Sequence, residues 1–249
     1  MAELRDQPAA TYAVCSVPIT AVDTAGAAAR IVRDSVDRRS CQVHLCNAYT
    51  LSLVDRDPEL RTALEHADLN LADGVPVVLF GRRLGMRGPV RGSELVGNVA
   101  TLGGGQVRHY LYGGKEGVAE LMSDELRRHV PGIEVVGAES PPFTPITDGH
   151  LAGLVRRVED SDANLLWIGL GTPRQDHLVH RLADALPMPI VPVGAAFDFW
   201  SGAMKEAPRL VRGSGVEWVY RLAAEPRRLW RRYLVGNPQF LLSAWRHRR

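Results

Sequence analysis

Residues 165–176 read LLWIGLGTPRQD. Leu165 to Ile168 are apolar without alternation, the pattern of a strand buried on both faces. Gly169 and Gly171 break the run. Pro173 then stands where a helix can begin, since the first helical turn has no use for its missing N–H. Thr172 is a candidate N-cap for that helix. A buried strand that turns through glycine into a helix is half of a βαβ unit, and it predicts a parallel sheet covered by helices on both faces.

The chain on either side extends this pattern. Residues 12–19, 42–45, 69–71, 107–112, 133–136 and 190–193 read as strands. Helices are expected at 21–36, 58–67, 115–129 and 148–158, from Pro173, and after Gly74. The fold class is therefore α/β with a parallel sheet. The rhythm stops after Phe197. From Pro208 onward no strand is legible, and an Arg- and Trp-rich segment predicts helices broken near Pro226 and Pro238. The chain divides near residue 200, into a 1–200 α/β core and a 201–249 helical appendage.

Charge follows the same division. The net charge is +2 over 249 residues, but residues 205–249 carry +8 and the remainder −6. Four of the five Trp lie at or after Trp200, which puts the aromatic content beside the cations. A basic tail on an acidic body points to an anionic partner: phosphate, nucleic acid or anionic lipid. Cys15, Cys41 and Cys46 form no CxxC pair, which fits a reducing compartment. The opening MAELRDQPAA lacks the apolar stretch of a signal peptide, and no apolar run reaches the length of a spanning helix. The expected location is cytoplasmic, or peripheral on a membrane. The eight His residues are scattered, and no metal or cofactor is expected.

Four segments carry candidate chemistry. Asp73-Gly74 follows a short strand, where a carboxylate can serve as a general base or simply cap the next helix. Gly113-Gly114-Lys115 ends another strand; two glycines let a ligand approach the backbone, and a helix N-terminus can hold phosphate. Gly171, Arg174 and Gln175 should project near the same edge. The GxG at Gly169 lacks the third glycine and the acidic partner of a dinucleotide fingerprint. In the tail, Arg221, Arg228 and Arg231 stand seven and three apart, so they share one face if the helix runs through Pro226. Three guanidiniums on one stripe can clamp a diphosphate. Trp218, Leu222, Leu229, Trp230 and Tyr233 form an apolar companion face, as in helices that lie on membranes. A solvated or nucleic-acid-binding helix is the plainer reading.

Taken together, Asn47, Asp57-Pro58, Ala72-Asp73-Gly74, LYGGKEGVAE, GLGTPRQD and the long block from VGAAFDFW to VGNPQF resemble the WecG/TagA/CpsF family of bacterial glycosyltransferases. The resemblance implies a Rossmann-like core with a helical, membrane-associating appendage. It implies inverting, metal-independent transfer of an N-acetylmannosamine-like sugar from a UDP-sugar donor to a polyprenyl-diphosphate-linked saccharide acceptor, serving teichoic acid, capsule or exopolysaccharide assembly. By the same resemblance Asp73 is the proposed base. Asn47, Gly113, Gly114, Gly171 and Gln175 belong to the pocket, and Arg221, Arg228 and Arg231 reach the donor diphosphate. A family arginine falls here on Pro89, with Arg87 and Arg91 nearby; either can take its place, and Arg91 is counted among the substrate-binding candidates. Leu45 replaces a common Thr, and Val75-Pro76 is unusual. The implied location is the inner face of the plasma membrane, with the Arg/Trp-rich helices on anionic lipid and no nucleic acid partner. A homo-oligomer is compatible with the sequence. The rivals are an NAD-dependent oxidoreductase and a non-catalytic basic membrane- or nucleic-acid-binding module.

Overall fold

The computed structural model describes residues 9–208 and 217–247. Eight strands form one sheet: β1 (Thr11–Val14), β2 (Val17–Thr20), β3 (Cys41–Cys46), β4 (Leu69–Ala72), β5 (Arg108–Gly113), β6 (Glu134–Glu139), β7 (Leu165–Gly169) and β8 (Pro189–Pro192). Their order is β1-β2-β4-β3-β8-β7-β5-β6. Every neighbouring pair is parallel except β1 with β2. At the middle of the sheet the chain leaves β3 toward Leu60 and Leu64 on one face and leaves β8 toward Phe197 on the other. The crevice at such a reversal, beyond the carboxyl ends of the strands, is where open α/β sheets bind ligands.

The helices are α1 (Thr24–Val36), α2 (Ala48–Leu53), α3 (Pro58–Glu65), α4 (Val75–Val78), α5 (Gly92–Gly103), α6 (Val118–His129), α7 (Asp148–Asp160), α8 (Arg174–Leu182) and α9 (Ala196–Trp200). Alternation along the strands sorts the core into two layers. Leu111, Trp167 and Val191 face a cluster with Ile31, Leu95, Val99, Met122 and Phe197. Tyr110, Tyr112, Leu166 and Ile168 face the opposite layer, with Leu154, Val158, Leu178 and Leu182. Side chains of successive strand residues point to opposite faces, so a run apolar at every position needs both layers.

Three local expectations are corrected. Residues 12–19 are not one strand but a hairpin, turning at Cys15 and Ser16 with φ of 53° and 66°. That turn usually carries Asn or Gly, and neither residue stands here. The helix after Lys115 starts only at Val118, because Gly117 takes a left-handed conformation at its N-cap. Thr172 caps nothing; Pro173 occupies the N-cap of α8 without a side-chain hydrogen bond. Near Pro238 the α-helical ladder is interrupted: a π-helical stretch, Arg231–Val235, precedes α12 (Gly236–Arg246). π turns recur where the helical ladder shifts register, and a proline has no N–H to donate to that ladder.

The remaining tail helices are α10 (Glu217–Ala224) and α11 (Pro226–Trp230). Glu225 sits between them at φ −135° and ψ 62°, so no single helix runs through Pro226. Phe240 and Ala244 of α12 are buried in a third cluster with Val14, Val17, Ile19, Leu51 and Leu60. Asp55 fastens the same helix, accepting from Ser243 Oγ at 2.8 Å and contacting His247 Nε2 at 3.2 Å. Among the described residues no helix is long and apolar enough to cross a membrane.

Candidate active site

The parallel register of β3 and β4 pairs Cys46 with Ala72 as their last residues. The next residue of each strand is therefore a neighbour of the other, and these are Asn47 and Asp73. Asn47 Nδ2 donates to Asp73 Oδ2 at 3.1 Å. Asn47 also caps α2, its Oδ1 accepting from the backbone N–H groups of Tyr49 and Thr50 at 3.0 and 3.1 Å. That capping fixes which end of the amide faces the carboxylate. Asp73 itself caps nothing: the N-cap of α4 is Gly74, with no side-chain bond. A carboxylate held by a neighbour at a strand end, and unused by the backbone, is available for chemistry.

A cavity of about 1100 Å³ opens at these strand ends. Its walls include Asn47, Asp73, Arg91, Gly114, Lys115, Gly171, Arg174, Gln175, Arg221, Arg231 and Arg232. Gly113 lies behind the wall. A Cβ there, at φ 154°, would stand 2.4 Å from the Cα of Gly169, its partner across the β5–β7 ladder. A Cβ on Gly169 would in turn strike the Phe197 ring at 2.4 Å. The glycines are thus needed for strand and helix to close together, and Gly114 offers its backbone to the cavity. Gln175 Oε1 accepts from Gly171 N at 3.0 Å, which holds that loop against α8. Beneath it, buried Asp176 contacts His44 Nδ1 at 2.9 Å. Asp57 caps α3 and reaches His177 Nε2 at 3.0 Å, tying α3 to α8.

The cavity's opposite wall comes from the tail. Glu217 bridges core and tail, its Oε2 2.6 Å from Arg91 Nη2 and its Oε1 3.0 Å from Arg221 Nη2. The Arg221 guanidinium lies 5.3 Å over the Phe199 ring. Arg231 lines the cavity, while the side chain of Arg228 lies outside the described residues. Of the two arginines near Pro89, Arg91 faces the cavity and Arg87 is exposed away from its walls. The sequence reading passed over Tyr49, Phe199, Glu217 and Arg232. Only Arg232 had a signal, as the neighbour of Arg231 in a basic run.

Nucleophilic cysteine chemistry has no support here. Burial, with the nearby Asp176 and Asp73, pushes the Cys46 thiol well up, so it stays protonated. Among the described residues no group of three His, Cys, Asp or Glu side chains is arranged to hold a metal ion.

A strand-end carboxylate facing several guanidiniums across a crevice of this size defines an α/β enzyme with a site built for anionic ligands. Comparison with known proteins narrows that class. The sequence profile of the Glycosyl transferase WecG/TagA/CpsF family matches residues 12–249, and the chain belongs to that family of glycosyltransferases. It is similar to an N-acetylglucosaminyldiphosphoundecaprenol N-acetyl-beta-D-mannosaminyltransferase of Bacillus spizizenii. The two are 26% identical over 201 residues, covering 78% of this chain and 74% of the relative.

Proposed function

We propose that this glycosyltransferase moves N-acetylmannosamine, or a related hexose or uronic acid, from a UDP donor to a polyprenyl-diphosphate-linked saccharide. The transfer inverts the anomeric centre, uses no metal, and serves a cell-surface polysaccharide or teichoic acid. One observation carries the reading: the Asn47-held carboxylate of Asp73 shares its cavity with Arg91, Arg221, Arg231 and Arg232. The similar Bacillus enzyme, whose name specifies a lipid-diphosphate acceptor, supports the choice of substrates.

In this reading the nucleotide lies along Gly114, Gly171 and Gln175 at the strand ends. Asp73 accepts the proton of the acceptor hydroxyl as its oxygen attacks the anomeric carbon. The UDP leaves from the opposite face, and its growing negative charge is met by Arg221, Arg228 and Arg231. The core through residue 200 supplies the base and the nucleotide floor. The tail supplies the cations and rests on anionic lipid at the inner face of the membrane, where the acceptor resides. Such a site is complete only beside its acceptor, which limits donor hydrolysis.

The test is sugar transfer from a panel of UDP-N-acetylhexosamines to a short-chain prenyl-diphosphate N-acetylglucosamine, with and without EDTA. Transfer should persist in EDTA, and Asp73→Asn should lower turnover by about 10²–10⁴ while UDP still binds. Near-normal turnover in that variant removes Asp73 from its role, and strong inhibition by EDTA removes the metal-free route.

A further inference from the structure

Asp73 borders two cavities, not one. The second is small, about 180 Å³, and it shares Asn47, Tyr49, Asp73, Arg91, Arg221 and Arg232 with the first. Its own walls include Val75, Pro76, Pro89, Trp218 and Tyr233, with Asn237. The Trp218 and Tyr233 rings lie 5.7 Å apart at 48°.

The three arginines of this smaller cavity are not equivalent. Arg91 and Arg221 share the carboxylate of Glu217. Arg232 forms no ion pair among the described residues. Its guanidinium lies 5.1 Å over the Tyr49 ring, and its Nε, like that of Arg221, is buried without a hydrogen-bond partner. A buried N–H left unpaired is unfavourable, so a ligand oxygen that reached it would bind favourably. Arg231, one residue earlier, lines only the larger cavity.

We infer that the smaller cavity is the acceptor subsite and that Arg232 binds the acceptor's diphosphate. The assignment rests on the transfer reaction proposed above. A base must stand between the attacking hydroxyl and the anomeric carbon, so donor and acceptor approach Asp73 from different sides. A nucleotide sugar needs the larger space. The smaller one offers aromatic rings for the apolar face of a sugar and a guanidinium with an uncommitted donor for phosphate. Leu234 and Val235, which follow Tyr233, are exposed, and they give a prenyl chain an apolar surface beside the phosphate site. Two neighbouring arginines thus serve two different diphosphates: Arg231 the leaving one, Arg232 the anchoring one.

The experiment uses the full chain, UDP as donor probe and farnesyl-diphosphate N-acetylglucosamine as acceptor probe. Arg232→Gln should raise the acceptor KM about tenfold, the loss of one charge-assisted hydrogen bond, and leave the UDP dissociation constant within about twofold. Arg232→Lys should recover part of that loss. Trp218→Ala, on the other wall, should also raise the acceptor KM. A tenfold weaker UDP affinity in Arg232→Gln with an unchanged acceptor KM would place Arg232 in the donor clamp and overturn the assignment, as would no change in either. If the unaltered chain transfers no sugar from any UDP donor, the proposed reaction fails on its own. Acceptor-probe binding, read by tryptophan fluorescence, then decides the subsite. Binding weakened in Arg232→Gln supports it, and equal binding in both chains overturns it.

Discussion

The two walls of the cavity are built on opposite principles. The strand-end wall gains its shape from absent side chains: Gly113 meets Gly169 backbone to backbone, and Phe197 fills the space beside them. The tail wall gains its chemistry from long side chains, Arg221, Arg231 and Arg232, carried on helices whose outer faces expose Trp230, Leu234, Leu241 and Trp245. The first wall is fixed by close packing, which resists change by even one methylene. The second is held by side-chain bridges and a buried edge, among them Glu217 to Arg91, Asp55 to Ser243 and the burial of Phe240. Shape is therefore set by the core and charge by the tail, and substitutions in the two should fail differently.

The largest separation should come from ending the chain at residue 200. Sugar transfer should fall by at least about 10³, since several guanidiniums leave together. A truncated chain that still transfers sugar at the full rate would merge the two walls into one. Phe240→Ala should cost about 3 kcal/mol in a denaturant melt, because it empties a site packed against the N-terminal hairpin. An unchanged melt would mean that α12 contributes nothing to the core. Gly113→Ala should cost about 2 kcal/mol and weaken UDP binding, since the new methyl group pushes β5 from β7 at the cavity floor. Retained UDP affinity would show that the close approach is not what shapes the strand-end wall.

The smallest effect should come from Asp55→Asn, about 1 kcal/mol or less at neutral pH. Partial burial raises the Asp55 carboxyl, but hydrogen bonds from Ser243 and His247 outweigh it and hold the group below its ordinary value. A depressed carboxylate stabilises the fold fully above its unfolded value, and that contribution is lost as pH falls through the folded one. Melts of the two chains should therefore converge in acid. A difference that grows in acid would reverse the sign and remove Asp55 as the fastening of α12.

Much of the sheet could be read from local pattern. The apolar run at residues 165–168 and the glycines after it behave as strand and turn wherever they are placed, because burial on both faces and freedom at positive φ are properties of those residues. The hairpin at Cys15-Ser16 escaped because two ordinary residues adopt a left-handed turn that only the flanking strands enforce. The arginine stripe was legible as charge but not as geometry. Glu225 breaks the helix, so the face that counts is chosen by how α10 and α11 lie against the core.

The sequence by itself determined the alternating α/β core and the basic tail, since these follow from side-chain polarity and period. Tertiary structure alone decided which side chains meet. Asn47 and Asp73 lie 26 residues apart and touch only because two parallel strands end in register. Arg232 borders the smaller cavity and Arg231 does not, because adjacent positions on a helix point in different directions and only packing against the core gives those directions a meaning.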